Sequence, residues 1–297
     1  MKILISDKMS NKVEDVLKSK QINFDIKTGM SPEELKEVID QYDGILIRSA
    51  TKLTSDILAD CKNLKVIGRA GVGVDNVDLD QATKNKILVM NTPLGNLEAT
   101  AELSVGLMFS LMRNIHLAND STHQGKWEKP KFIGTELKGK TLGIVGYGNI
   151  GQRVAEICST IGMNIITNSK SASDEDLSRF KAKKVSTEQL IKEADIVSIH
   201  TKLNDETKYM FNKETLSTMK PTSVIINCAR GGLINEAEFK DASNNEVIAE
   251  AAIDVYENEP TTDNVMLGAN KVLLTTTSGA ATAAGQANVP IAGEHKV

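Results

Sequence analysis

Three glycines at positions 146, 148 and 151, in the run Gly146-Tyr147-Gly148-Asn149-Ile150-Gly151, carry the most chemically specific spacing in the chain. An apolar run, 141–145, leads into them. A helical pattern with Val154, Ile157, Cys158 and Ile161 on one face leads out. In that setting Gly146 serves a tight turn, Gly148 lets a pyrophosphate approach the backbone, and Gly151 packs helix against strand. Asn149 and Ile150 open the helix whose N-terminus faces the phosphate. Outside such a strand-to-helix setting the same glycines would be an ordinary connection. The next strand, 163–167, ends in Asn168, where a carboxylate ordinarily takes the adenosine ribose hydroxyls. Without that carboxylate, Ser169, Lys170 and Ser171 could bond or pair with a 2′-phosphate. Equally, Asn168 could bond a ribose hydroxyl while Lys170 stays solvated, so NAD and NADP both stand.

Further along, Asn227-Cys228-Ala229-Arg230-Gly231-Gly232 places an arginine directly after a β-rich strand, between small residues that allow close approach. A guanidinium there can clamp a carboxylate bidentately and polarise an adjacent carbonyl. The run Asp254-Val255-Tyr256-Glu257-Asn258-Glu259-Pro260 supplies carboxylates after the next strand. Glu259 could orient a base, and Asp254 could hold a cofactor or a loop. Either could instead pair with Arg230.

The elements that must position these groups alternate regularly. Segments 2–6, 22–26, 44–48, 65–69 and 87–90 read as strands rich in Ile, Leu and Val, separated by amphipathic helices. Ser31, Pro32 and Glu34 form a helix start with a capping box ahead of Leu35, Val38 and Ile39. A long apolar helix is expected from Leu97 to about Ala118, with Gly106 allowing close packing and His116 and His123 on the surface near its end. After the polar segment 120–140, which holds the only tryptophan, Trp127, a second alternation follows with strands at 195–200, 224–228 and 247–254. In open parallel sheets ligands bind beyond the strand carboxyl ends, where the singled-out residues fall.

With 297 residues, 40% hydrophobic and 25% charged, the chain suits two globular domains. A formal charge of -4 gives no field for phosphate backbones, so no nucleic-acid partner is expected. Cys61, Cys158 and Cys228 are odd in number, far apart and without metal-ligand spacing, which fits a reducing compartment better than a disulfide framework. No metal is expected. The apolar start is too short for a signal peptide, and no run approaches the roughly 18 apolar residues of a membrane span. A cytoplasmic protein with no membrane contact is the expectation.

Cys228-Ala229-Arg230-Gly231-Gly232 and the run from Asp254 to Pro260 resemble the D-isomer-specific 2-hydroxyacid dehydrogenases. Four more stretches strengthen the resemblance: Arg48-Ser49-Ala50-Thr51-Lys52, the run Gly68-Arg69-Ala70-Gly71-Val72-Gly73-Val74-Asp75-Asn76-Val77-Asp78, the run Val89-Met90-Asn91-Thr92-Pro93-Leu94-Gly95-Asn96, and Gly125-Lys126-Trp127-Glu128 with Phe132-Ile133-Gly134-Thr135-Glu136-Leu137. It covers nearly the whole chain to about Thr282.

The resemblance implies an α/β fold of two Rossmann-like parallel-sheet domains. A central nucleotide-binding domain, 97–282, is inserted in a split substrate domain made of 1–96 and the returning 283–297, with the active site in the cleft. It further implies a homodimer built through the nucleotide-binding domain. The implied reaction is NAD(P)-dependent oxidation of a small 2-hydroxy acid, here 3-phospho-D-glycerate to 3-phosphooxypyruvate, feeding serine synthesis. Arg230 would bind the substrate carboxylate and carbonyl, Glu259 would orient the catalytic histidine, and the backbone of Gly71, Val72 and Gly73 would receive the carboxylate. Arg48 and Arg69, helped by Asn96, would face the phosphate. Asn168, His200, Thr201, Cys228, Ala229, Asp254 and Gly279 would lie along the cofactor.

The departures are concrete. Thr277 stands where the family places its histidine, Thr276 replaces the preceding proline, and Asn168 replaces the ribose-binding aspartate. After Gln286 the family continues a longer helix, which Pro290 disfavours here. A threonine hydroxyl does not titrate near neutrality and cannot replace an imidazole as acid or base. A terminal histidine, His295, is a poor candidate to stand in. Two classes therefore remain: an enzyme of this type, slowed or redirected to another small 2-oxo acid, and a catalytically silent dinucleotide or metabolite sensor.

Overall fold

The structure, a computed structural model, describes residues 1–92 and 94–282. The expected return of 283–297 to the first domain, and His295, lie outside the described residues. The chain divides into two compact units, Met1–Leu97, with which 280–282 are grouped, and Glu98–Gly279.

In the first unit the order is β1 (Lys2–Ile5), α1 (Asn11–Ser19), β2 (Asn23–Ile26), α2 (Pro32–Val38), β3 (Gly44–Ile47), α3 (Ser55–Leu58), β4 (Val66–Arg69), α4 (Leu79–Lys84) and β5 (Leu88–Asn91). All pairings are parallel, in the order β2-β1-β3-β4-β5, one of the two common doubly wound arrangements. The expected start of α2 is present in full. Ser31 accepts from the Glu34 amide, and the Glu34 carboxylate accepts from the Ser31 amide at 2.8 Å. Leu4, Ile45 and Ile67 bury one face of the sheet under Leu35, Ile39 and Leu58, while Ile5 meets Val13 and Leu17 on the other.

The second unit runs α5 (Leu97–Met112), α6 (Ile115–His123), β6 (Thr141–Val145), α7 (Asn149–Ile161), β7 (Asn164–Thr167), α8 (Asp174–Arg179), β8 (Lys183–Lys184), α9 (Thr187–Glu193), β9 (Ile196–Ile199), α10 (Lys213–Ser217), β10 (Val224–Asn227), α11 (Glu236–Asn244), β11 (Glu250–Ile253) and β12 (Val272–Leu274). Its parallel sheet is ordered β12-β11-β10-β9-β6-β7-β8, so the order in which strands are added reverses between β6 and β9. Both faces are covered, which is why the strands read as continuous apolar runs. Leu142, Ile144, Ile196 and Ile226 pack on Met108, Val154 and Cys158. Val145, Val197, Ile199 and Ile225 pack on Leu190, Leu216 and Phe239.

Most strands fall within one residue of their expected ends, but 247–254 shortens to Glu250–Ile253. The single long helix is corrected. It stops at Met112 and restarts at Ile115, because Asn114 adopts a left-handed conformation with φ of 52°. Gly106 does not mediate close packing; it is exposed, and a Cβ placed on it would meet nothing within 4 Å. His123 is exposed as expected, whereas His116 is half-buried with its Nδ1 3.4 Å from Ser110 Oγ.

Candidate active site

The glycine loop leaves β6 at the point where strand order reverses. Gly146 has φ of 91°, and a Cβ there would lie 2.6 Å from the His200 carbonyl oxygen and 2.9 Å from the Thr201 nitrogen. The end of β9 is thereby pressed against the turn, bringing Gly146, His200 and Thr201 together. A Cβ on Gly151 would fall 2.2 Å from the Gly146 carbonyl oxygen, so the helix rests directly on the turn. Gly148, by contrast, is exposed, with open space around a Cβ position. As N-cap of α7 it provides no side-chain cap, which leaves the first-turn amides of Asn149, Ile150 and Gly151 for an incoming anion. These features fit a dinucleotide pyrophosphate.

His200 Nε2 lies 2.8 Å from Ser198 Oγ, and burial drives its pKa down to about 4, so its ring is neutral near pH 7. Tyr147 is buried among the core residues beneath the loop; its hydroxyl finds no hydrogen-bond partner among the described residues, and burial raises its pKa to about 12. At the end of β7 the Asn168 amide nitrogen donates to Thr187 Oγ1 at 2.9 Å.

Arg230 follows β10 on a loop fixed from inside. Buried Asn227 accepts from the Ala229 amide at 3.0 Å and donates to the Arg230 carbonyl at 2.9 Å. The Arg230 guanidinium donates to the Ala229 carbonyl at 2.6 Å. A Cβ on Gly231 would sit 1.9 Å from the Tyr256 carbonyl oxygen, so this loop and the one after β11 touch backbone to backbone. Cys228 is a buried thiol raised to about 12 by burial, a structural rather than a reactive group.

Asp254, 1% exposed, organises the next loop. Its carboxylate accepts from Thr275 Oγ1 at 2.6 Å, the Ser278 amide at 2.7 Å and the Gly279 amide at 2.8 Å. Thr100 Oγ1 donates to the Gly279 carbonyl at 3.1 Å. Thr277 projects from this clamped loop, exposed, with φ of 54°. Glu259 is also exposed and accepts from the Tyr256 amide at 2.9 Å. Sequence reasoning missed buried Glu236, which accepts from the Glu257 amide at 2.9 Å and from Asn264 Nδ2 at 2.7 Å. Its only sequence signal is a first-turn acid after Asn235, which reads as a helix start.

In the first unit, Arg48 immediately follows β3 and Arg69 ends β4, where Ile47 pairs with Arg69. Buried Asp7 accepts from the Arg48 amide at 2.5 Å and the Thr51 amide at 3.2 Å, and Asn76 Nδ2 donates to the Arg48 and Thr51 carbonyls at 2.6 Å each. The Arg69 guanidinium lies over Gly71, where a Cβ would meet it at 1.6 Å. Asn91 Nδ2 donates to the Val72 carbonyl at 2.5 Å, tying the 71–73 loop to the end of β5. Asn96 Oδ1 is buried with no hydrogen-bond partner among the described residues. Those residues contain no grouping of three or more His, Cys, Asp or Glu able to hold a metal, and no helix long and apolar enough to cross a membrane.

The order of the larger sheet and the glycine loop at its switch point define a doubly wound, dinucleotide-binding α/β domain. The chain belongs to the D-isomer specific 2-hydroxyacid dehydrogenase family, whose NAD binding domain model matches residues 105–279. A D-3-phosphoglycerate dehydrogenase from Synechocystis sp. is 41% identical over 98% of this chain and 52% of its own length. A hydroxypyruvate reductase from Thermotoga maritima is 38% identical over 98% of this chain and 95% of its own. The solved glyoxylate reductase from Paecilomyes thermophila superposes with a TM-score of 0.90 at 29% identity, covering 98% of this chain and 92% of that one. The chain spans about half the length of the curated D-3-phosphoglycerate dehydrogenases it matches.

Proposed function

We propose that this chain binds a nicotinamide dinucleotide and exchanges a hydride with a small D-2-hydroxy acid, 3-phospho-D-glycerate being oxidised to 3-phosphooxypyruvate on the way to serine. The observation that carries the phosphorylated substrate is the pair Arg48 and Arg69 on adjacent strand ends, a suitable receiver for a dianion. When bound, the nicotinamide supplies the hydride acceptor. Arg230 would hold the substrate carboxylate and polarise the reacting C–O bond, and the 71–73 backbone with Asn96 would complete the carboxylate and phosphate contacts.

The hydroxyl proton is the weak point. Thr277 cannot accept it as an imidazole would, Glu259 alone is a poor base at an exposed position, and His200 is committed to Ser198. Turnover is therefore slow relative to binding. The full-length similarity to a hydroxypyruvate reductase favours one second reading, reduction of a small unphosphorylated 2-oxo acid. Thr277 favours another, a silent dinucleotide or metabolite sensor. Steady-state assays with 3-phospho-D-glycerate, hydroxypyruvate and glyoxylate, each with both cofactors, discriminate among them. Turnover of 3-phospho-D-glycerate that collapses in Arg48→Gln and Arg69→Gln supports the first. Turnover of hydroxypyruvate unaffected by those changes supports the second, and tight cofactor binding with no turnover supports the third. Three buried free thiols suit a cytoplasmic setting, and the apolar surface on 109–133 suits self-association through the second unit.

A further inference from the structure

The carboxyl end of β7 carries hydroxyls and ammonium groups where an NAD-selective site needs a carboxylate. Segment 168–173 reads Asn168, Ser169, Lys170, Ser171, Ala172, Ser173, with no acid among them. Ser169 Oγ and Ser171 Oγ lie 3.4 Å apart, and Thr167 Oγ1 accepts from the Ser169 amide at 3.3 Å, holding the loop's start against the strand.

Two lysines reach this loop by independent routes. Lys170 is on it. Lys184 lies fourteen positions later, but β8 pairs with β7 in the register Thr167 with Lys184, which sets Lys184 beside the strand end. Its ammonium donates to the Lys170 carbonyl at 3.2 Å. Lys170 Nζ stands 3.6 Å from a Glu206 carboxylate oxygen, with both side chains highly exposed at 91% and 79%. Such an exposed pair contributes at most about 1 kcal/mol and yields readily to a stronger anion. Asn168 has no charge to repel one, and its amide nitrogen is already engaged with Thr187.

We propose that Ser169, Lys170, Ser171 and Lys184 form the receiver for the 2′-phosphate of NADP, making this chain selective for the phosphorylated cofactor. The inference rests on reading the second unit as a nicotinamide dinucleotide site. A ribose carrying a free 2′-hydroxyl would leave Lys170 with only its exposed pairing to Glu206, give Lys184 no anion, and lack the carboxylate that ordinarily binds it. A phosphate dianion instead meets two point charges and two hydroxyl donors.

The test is calorimetric binding of 2′,5′-ADP against 5′-ADP to the full chain at fixed ionic strength, probes that contain no nicotinamide and need no turnover. The expected result is tighter binding of 2′,5′-ADP by about 10-fold or more. Lys170→Met with Lys184→Met should erase that preference while leaving 5′-ADP affinity within about 2-fold, and Ser169→Asp should reverse it. Equal or tighter binding of 5′-ADP, or equal weakening of both probes by the double variant, overturns the proposal but leaves the dinucleotide site standing. Failure of both probes to bind overturns the site itself and this inference with it.

Discussion

At Thr277 the backbone and the side chain disagree. A φ of 54° is uncommon for any residue with a Cβ and is a true outlier for a β-branched one, whereas histidine is enriched there. The loop thus keeps a conformation better suited to an imidazole than to the residue it carries. Thr277→His should therefore gain in two respects: a raised thermal midpoint from relieved strain, about 1 kcal/mol, and a rise in kcat of roughly 10²-fold or more from a titratable group. Calorimetric melting and steady-state kinetics read the two separately, and an unchanged kcat would show that the base is not needed at this position. Tyr147 presents the opposite situation, a hydroxyl buried without a partner below the glycine loop. Tyr147→Phe removes that uncompensated group and should raise the urea midpoint, by about 1 kcal/mol in unfolding free energy. A destabilised variant would mean the hydroxyl is satisfied in solution.

Loops clamped by single buried side chains set the geometry between elements. Asp254 closes the connection after β12 with three hydrogen bonds reaching 21 to 25 positions along the chain. Asp254→Ala would strip the partners from the Ser278 and Gly279 amides and should cost about 2–3 kcal/mol, with faster amide exchange confined to 275–279. Exchange unchanged in that loop would show another clamp. The end of β9 makes a pH-dependent contribution. Folding holds His200 near 4, below its ordinary 6.5, so the neutral ring is the favoured form in the fold. The associated stability is fully present above about pH 6.5 and is lost as pH falls toward 4. Urea unfolding at pH 7.5 and pH 5 should show a loss of roughly 1–3 kcal/mol that His200→Gln diminishes. These contacts also mark what could be read from sequence. The strands and the glycine loop were legible because apolar runs and glycine punctuation are local signals. The break after α5 was not, because Asn114 is stabilised by contact with the Ile133 carbonyl and Met112 receives the Thr135 amide, both distant in sequence. The edge strand β8 was hidden as well, since Lys183 and Lys184 are charges that blunt an edge rather than an apolar run. Arg230 and Asp254 were legible as chemistry, but the inner supports Asn227 and Glu236 were not, because burial of a polar side chain leaves no mark in composition.

For the molecule as a whole, one surface of the second unit is more apolar than water favours. Trp127 is 87% exposed, Ile133 81% and Ile115 53%, with Phe109 and Leu117 each 38% exposed. The Thr135 amide donates to the Met112 carbonyl at 2.7 Å and Gly134 lies against Met112 and Arg113, which draws 133–135 onto the end of α5, while the Lys126 amide donates to the Ser121 carbonyl and holds the tryptophan segment by the end of α6. A tryptophan left almost wholly in water forgoes burial of about 150–250 Å². A single exposed apolar residue needs no explanation, but five within the stretch 109–133 point to an interaction face on this part of the second unit. A second copy of the chain is the simplest occupant, since a two-fold contact lets the same patch complete itself from both sides. A stable dimer buries about 1,600 Å² in total, which such a patch can seed with aromatic and aliphatic anchors. Sedimentation should accordingly give twice the chain mass of 32.2 kDa, and Trp127→Glu combined with Ile133→Glu should shift it to the single-chain value. Because both side chains are exposed within one chain, circular dichroism of the variant should stay unchanged. A monomer before substitution would overturn the self-association, and a dimer that survives it would place the contact elsewhere.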